Sequence, residues 1–301
     1  MNVLLATDGS DDAVHAANFL MTLQFKESVS LTVLTTSYAP DRIDSATSQA
    51  WFPQWREIED ARVSKHHDEV RQLLASLDEN MTMLQVDGSA AHEILSCAKQ
   101  IDADLIVIGA RGHSAIGRVL LGSVSDSVAT HAECSVLVVR PEIEGTADDA
   151  CTCRLTLAYD ASESSAAAVE ELKHFDWPQC STVNILNVVT SPAFIMSEYP
   201  VLLQDHTDQA VTEARLACEK LLSELSADIK QPTSQVAVGD HVGETIIGNA
   251  KEAGSNLIMM GDTGRGFLGT LMLGSISKYV LRHADCSVWI SRHHRKNGSQ
   301  A

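Results

Sequence analysis

Basic residues are scarce in this sequence. The 301 residues include 22 lysines and arginines against 40 aspartates and glutamates, which gives a formal net charge of −18. Proteins that bind DNA, RNA or an anionic membrane surface need a basic footprint. We therefore expect no nucleic-acid partner and no membrane partner. The basic cluster at Arg292–Lys296 is interpreted as a solvated tail.

We expect neither a targeting segment nor a membrane span. Met1 leads directly into an apolar segment without a basic flank, and no apolar run approaches the length of a membrane span. Seven cysteines are an odd number for a disulfide framework. The pair Cys151 and Cys153 has no second ligand pair nearby, which disfavours a zinc site. A reduced cytoplasm is the expected setting.

Several catalytic motifs are missing as well. There is no G-x-x-x-x-G-K-[ST], which excludes a P-loop enzyme, and no G-x-G-x-x-G after the first strand, which weakens a dinucleotide-binding interpretation. No Ser/His/Asp constellation is evident, and His92, His113 and His131 are scattered. The sequence therefore predicts a binding module without an identifiable general base or nucleophile.

One stretch, Leu105–Ser125, stands out among what is present. An aliphatic run is followed by Gly109 and Gly112, then by Gly122 and a helical pattern. The order of strand, glycine loop and helix N-terminus can bind an anion, because glycine allows close backbone approach and the first helical N–H groups lack intrahelical partners. Leu257–Ser277 repeats the pattern, with each glycine 152 positions after its counterpart.

The offset of 152 residues also relates the rest of the chain, which therefore consists of two copies of one domain. Apolar strands alternate with helical segments in each, which predicts two tandem doubly wound α/β domains, each with a five-stranded, mostly parallel sheet and helices on both faces. We predict domains at 1–141 and 153–293, a linker at 142–152 and a tail at 294–301. Residues 37–55 and 190–206 are expected to be loops. Ligands of such folds bind at the carboxyl ends of the strands, where Asp8, Thr36 and Gly109 fall.

The doubled G-x-x-G-(nine residues)-G-S pattern resembles the nucleotide-binding signature of the universal stress protein family, in its ATP-binding branch and tandem form. The resemblance covers nearly the whole chain and implies a Rossmann-like, adenine nucleotide α-hydrolase-like fold. Thr35 and Asn187 stand where the family often has histidine. The nucleotide-binding residues that the resemblance implies are Asp8, Thr36, Gly109, Arg111, Gly112, Gly122, Ser123, Val124 and Ser125 in the first copy, and Asp160, Val188, Gly261, Gly264, Gly274, Ser275, Ile276 and Ser277 in the second.

The resemblance implies ATP as the ligand, with Mg²⁺ held mainly by phosphate and water. Three functions stay open: an ATP-binding stress-response or signalling module with little or no turnover, a slow ATPase or autophosphorylating enzyme, and an interaction module with degenerate sites. The family also implies an internal pseudo-dimer that pairs the last strands, Ser135–Val139 and Ser287–Ser291, and favours a homodimer.

Two further expectations concern the loops. Aromatic residues in the loops after the second strands either cover a domain face as an interface or complete each core; they are Trp51, Phe52 and Trp55 in one copy, and Phe194 and Tyr199, with Leu202, in the other. The phosphate loop carries Arg111, His113 and Arg118 in the first copy but Thr263, Arg265 and Thr270 in the second, where Asp262 also replaces Ala110. The first site is therefore expected to bind ATP more tightly at low salt.

Overall fold

The computed structural model has the predicted α/β architecture. It describes residues 1–37, 46–112, 121–141, 153–177, 181–190, 200–226, 229, 232–264 and 273–293, without the side chains of 46–51, 78–79 and 200–206. The predicted linker at 142–152 and tail at 294–301 lie outside the described residues.

Strands and helices alternate in both copies. The elements of the first copy are β1 (Asn2–Ala6), α1 (Asp11–Thr22), β2 (Gln24–Phe25), β3 (Ser30–Ser37), α2 (Ala46–Leu73), a 3₁₀ helix (Ala75–Asn80), β4 (Met81–Asp87), α3 (Ala90–Gln100), β5 (Leu105–Gly109), α4 (Ser123–His131) and β6 (Ser135–Val139). Those of the second copy are β7 (Arg154–Ala158), α5 (Glu163–Leu172), β8 (Phe175–Asp176), β9 (Thr182–Thr190), α6 (Pro200–Leu225), β10 (Thr233–Gly239), α7 (Val242–Glu252), β11 (Leu257–Gly261), α8 (Ser275–His283) and β12 (Ser287–Ser291).

Ten of the strands form a single sheet in the order β10-β9-β7-β11-β12-β6-β5-β1-β3-β4. Each copy contributes five mutually parallel strands. The copies meet where β6 and β12 pair in antiparallel orientation, with Leu137 opposite Trp289. The pairing of the last strands that the sequence predicts is therefore present, and it removes two open strand edges.

The core has one layer on each face of this sheet. Successive strand residues point to opposite faces, so Val3 and Leu5 pack into one layer while Leu4 and Ala6 pack into the other. Helices α1, α2, α5 and α6 cover the first face, and α3, α4, α7 and α8 cover the second. Burial on both faces explains why the strands are continuously apolar. Among the described residues, no helix combines the length and apolar character that crossing a membrane requires.

Three features differ from the sequence prediction. Helix α2 begins at Ala46, about ten residues before the expected start, and contains Pro53, so the loop prediction at 37–55 is wrong over that part. Helix α6 begins at Pro200, because proline fits the first helical position, whose N–H has no intrahelical partner. The two-residue strands β2 and β8 pair with each other across the copies, with Phe25 opposite Phe175.

Two arginines join the copies in a reciprocal way. Arg140 follows β6 and its Nη2 donates to the Leu281 carbonyl at 2.7 Å, at the end of α8 in the other copy. Arg292 follows β12 and donates equally to the Ala129 carbonyl of α4 at 2.7 Å. Both guanidinium groups therefore lie at the negative end of a helix dipole, and both tie the end of one copy to the other.

Candidate functional site

Two helix N-termini face the carboxyl ends of the strands. Gly122 is the N-cap of α4, and its N–H donates to the Ala110 carbonyl at 2.8 Å. Gly274 is the N-cap of α8, and its N–H donates to the Asp262 carbonyl at 2.7 Å. Each helix is thereby held close to the strand that precedes its loop. Its first N–H groups have no intrahelical acceptor and can bind an anion.

The serines of these helices hold the loops in place. Ser125 Oγ donates to the Gly109 carbonyl at 2.7 Å, and Ser277 Oγ donates to the Gly261 carbonyl at 2.9 Å. Both side chains are buried. A hydroxyl has one proton to donate, so in this arrangement these two hydroxyls donate within the protein. Their contribution to an anion site lies in their backbone N–H groups.

The first glycine of each loop is required by packing inside the protein. A Cβ atom on Gly109 would lie 2.7 Å from the backbone of Asp12, and one on Gly261 would lie 2.7 Å from the backbone of Ser164. The start of α1 or α5 thus leaves no room for a side chain. Close approach by a ligand is therefore not the only reason for glycine at these two positions.

The predicted aspartates lie in matching turns. The Ser10 N–H donates to Asp8 Oδ1 at 2.9 Å, and the Ser162 N–H donates to Asp160 Oδ1 at 3.0 Å. Both serines are the N-caps of the helices that follow. A Cβ on Gly264 would lie 3.2 Å from Asp160 Oδ2. The aspartate and the glycine loop of the second copy therefore border the same space.

That space is a cavity of about 560 Å³ at the carboxyl ends of the second copy's strands. The structure brings together at this cavity every residue that the sequence analysis assigned to the second site. They are Asp160, Val188, Gly261, Gly264, Gly274, Ser275, Ile276 and Ser277.

Other residues at the cavity were not predicted. Apolar side chains from strand ends and from α7 line it, among them Leu186, Ile246 and Met260. Asn187 also lines it; the residue is 4% exposed, and its Nδ2 has no hydrogen-bond partner among the described residues. Glu213 contributes a carboxylate from α6. The sequence signal for Asn187 was its place at the family's histidine position, whereas the helix residues had none.

In the described residues the first copy has the corresponding glycines and helix N-terminus, but different side chains surround them. Thr36 lies near the carboxyl end of β3, opposite Val86 of β4. Arg62 of α2 donates from Nη1 to the Asp8 carbonyl at 3.1 Å and forms an ion pair with Glu59 at 2.8 Å. Residues 113–120, which include His113 and Arg118, lie outside the described residues.

The loop charges on which the expected difference between the sites depends are paired within the protein. Arg111 lies against α1, where its Nε is 2.9 Å from Asp12 Oδ2. Asp262 is fully buried, accepts a hydrogen bond of 2.8 Å from Ser164 Oγ and lies 3.5 Å from Arg292 Nε. Both charges have partners within the protein. These two charges therefore do not support the expectation that the first site binds ATP more tightly. Arg265 and Thr270, on which that expectation also depends, lie outside the described residues.

The aromatic residues after the second strand lie partly on α2. Phe52 and Trp55 stack with their ring centroids 5.5 Å apart, and both are partly exposed. Phe194 and Tyr199 lie outside the described residues, as do the side chains of Trp51 and Leu202. The two interpretations of these residues both stay predictions.

The chain matches the model of the universal stress protein family twice, over residues 1–140 and 154–292. A universal stress protein of Mycobacterium tuberculosis is 26% identical over 315 residues, which cover 96% of each chain. Its Mycobacterium bovis relative has the same identity and coverage. These relatives contain two copies' length of sequence, as this chain does.

Two solved structures share the fold over the full length. A universal stress protein of Archaeoglobus fulgidus superposes with a TM-score of 0.65 at 19% identity, covering 97% of this chain and 98% of its own. A protein of Pseudomonas aeruginosa described as functionally unknown superposes with a TM-score of 0.62 at 14% identity, covering 100% and 97%.

Proposed function

The chain belongs to the universal stress protein family, and we propose that it binds ATP as a stress-response or signalling module with little or no turnover. The observation that carries the proposal is the cavity of about 560 Å³. Its volume lies within the range of about 300–1,000 Å³ that small-molecule sites have. All eight residues assigned to the second site by sequence lie around it.

The donors and surfaces around the cavity suit the parts of a nucleotide. The apolar strand ends near Val188 suit a purine ring, and Asn187 Nδ2 offers a buried donor for a ring nitrogen. The Asp160 carboxylate suits ribose hydroxyls. The start of α8 and the glycine loop suit phosphate, because their N–H groups and the helix dipole favour negative charge. Mg²⁺ would be held mainly by phosphate and water.

The first copy repeats the same framework of strand ends, glycine loop and helix N-terminus, so the proposal extends to two ATP molecules per chain. A cytoplasmic location and a homodimer of the two-copy chain are further parts of the proposal, taken from the sequence and from the family resemblance.

Substitution of one glycine in each copy tests the proposal. A Cβ on Gly122 or Gly274 would lie 3.1 Å from a carbonyl oxygen of its own loop, so a valine there should displace the loop and obstruct the crevice. Calorimetric titration with ATP should give two sites in the wild type and one in Gly122→Val or Gly274→Val. Gly248→Val is the matched control, because a Cβ on Gly248 meets no atom within 4 Å. Absence of ATP binding by the wild type at millimolar concentration would refute the proposal.

A measurement of phosphate release from ATP distinguishes a binding module without turnover from a slow ATPase. Wild type and the two glycine variants are incubated for hours with ATP and Mg²⁺. We expect release no faster than in buffer. Release by the wild type that disappears in Gly274→Val would favour the alternative, a slow ATPase or autophosphorylating enzyme.

A further inference from the structure

A second cavity, of about 110 Å³, lies where the two copies meet. It is on the opposite side of the second copy from the candidate nucleotide crevice, because Arg154 and Ser287 line it and begin β7 and β12 at their amino ends. Arg140 of the first copy enters the same lining. The cavity is therefore shared between the copies and lies on the side of the sheet where the first copy's strands have their carboxyl ends, since Arg140 directly follows β6.

Arg140 is buried without a carboxylate partner. The residue is 8% exposed, and apart from the Leu281 carbonyl its guanidinium has no hydrogen-bond acceptor or ion pair among the described residues; Nε in particular has no partner. The dipole of α8 offsets part of this charge. Burial still lowers the pKa of Arg140, although the carboxylates of Asp285 and Asp12 favour its charged form. An unsatisfied buried donor indicates an unseen ion or water.

Comparison of the copies shows what Arg140 lacks. Arg292 makes the reciprocal contact and lies 3.5 Å from the Asp262 carboxylate. Ala110 occupies the position 152 residues before Asp262, so the first copy has a methyl group where the second has a carboxylate. The negative charge that balances Arg292 from within the protein is therefore absent at this position beside Arg140.

The rest of the lining adds positive charge. Arg154 and Lys251 both line the cavity, and Asp285 is the only carboxylate among its lining residues in the described part of the chain. Lys251 Nζ lies 3.4 Å from Asp285 Oδ2, and both side chains are exposed, at 73% and 49%. Solvent screens that pair. Arg154 Nε donates to the Gly254 carbonyl at 2.5 Å, so Arg140 and Arg154 place two guanidinium groups at this cavity beside the Lys251–Asp285 pair.

We infer that this cavity binds a small oxyanion of the size and charge of inorganic phosphate. Guanidinium groups bind such anions through charge-assisted hydrogen bonds, and Asn256 and Ser287 add polar groups to the lining. A volume of about 110 Å³ is too small for a nucleotide. Since Arg140 comes from one copy and Arg154 and Lys251 come from the other, the bound anion links the two copies.

The test is a titration with inorganic phosphate at constant ionic strength and without nucleotide. Binding is monitored by calorimetry and by the midpoint of thermal unfolding. The full chain should bind one phosphate at this site and unfold at a higher temperature. Arg140→Met is the direct variant but removes a structural contact. Arg154→Gln and Lys251→Gln are therefore used as well, and each should weaken phosphate binding at least tenfold.

The first copy provides a matched control. Lys99 occupies the position 152 residues before Lys251 and forms the corresponding ion pair with Glu133 at 3.5 Å. Lys99→Gln should leave phosphate binding unchanged, and a Gly122→Val, Gly274→Val double variant, in which both nucleotide crevices are obstructed, should still bind one phosphate at this cavity. The inference is overturned if the wild type does not bind millimolar phosphate, if chloride raises the midpoint equally, or if Arg154→Gln and Lys251→Gln bind phosphate like the wild type. Because no ATP is used, failure here would leave the proposed function intact.

Discussion

The carboxylate of Glu171 in the second copy accepts a hydrogen bond of 2.9 Å from Ser135 Oγ in the first copy. The indole N–H of Trp289 donates to its other oxygen at 3.3 Å. Glu171 is 2% exposed, and burial raises its pKa to about 7, although the hydrogen bonds favour the charged form. An acid that titrates near neutrality therefore lies between the two copies.

Glu171 should make the free energy of unfolding depend on pH. In the unfolded chain the carboxyl has its ordinary pKa of 4.5, whereas in the folded chain its pKa is about 7. Its contribution to stability is highest below pH 4.5 and falls as the pH rises to about 7, by about 3 kcal/mol. Glu171→Gln cannot ionise and should lack this fall.

The measurement is denaturant unfolding at about pH 5 and about pH 8. It compares the change in the free energy of unfolding between these pH values in the wild type and in Glu171→Gln. Glu133→Gln, whose side chain is 64% exposed in the wild type, is the control and should keep the wild-type dependence. An equal loss of stability between the two pH values in wild type and Glu171→Gln would contradict the prediction.

Asn187 should contribute to ATP affinity at the second site. Its Nδ2 is a buried donor without a partner among the described residues, so a bound base that accepts from it gains a hydrogen bond. In a Gly122→Val background, Asn187→Leu should raise the ATP dissociation constant about tenfold. The control is Thr35→Val, since the Thr35 hydroxyl already bonds His67 at 2.9 Å. Unchanged affinity in Asn187→Leu would show that the amide does not face the base.

Glu213 should weaken ATP binding. Glu213 lines the cavity from α6, and a negative charge near a polyphosphate is unfavourable. Glu213→Gln should tighten binding up to about fivefold at low salt, since an exposed charge contributes up to about 1 kcal/mol. The gain should shrink as salt rises. Glu219→Gln, an exposed residue of the same helix, should change nothing. A gain that persists in high salt would argue against an electrostatic cause.

Asp262 should be needed for folding stability. Its carboxylate balances Arg292, and both residues are fully buried. Asp262→Ala leaves a buried guanidinium without its carboxylate and should destabilise the chain by about 3–5 kcal/mol. Asp285→Ala, which breaks an exposed ion pair, should cost less than about 1 kcal/mol. Urea unfolding compares the two variants, and similar midpoints would be incompatible with this account of Asp262.

Sequence reasoning predicted the features that depend on local pattern. Buried strands such as β5 are recognisable because both faces are covered, and the doubled glycine spacing places both loops. Ion pairs were not predictable in this way: Arg111 pairs with Asp12, 99 residues earlier, and Asp262 with Arg292. Only the fold brings such partners together. The start of α2 was missed because Pro53 and its aromatic neighbours suggested a loop, and β2 is too short to show a period.

The antiparallel contact of β6 with β12 reverses strand polarity in the middle of the sheet. The carboxyl ends of the first copy's strands therefore point in the opposite direction to those of the second copy. The cavity of the second copy and the matching strand ends of the first copy therefore lie on opposite sides of the sheet. If both copies bind ATP as proposed, one flat partner surface can contact only one of the two nucleotides.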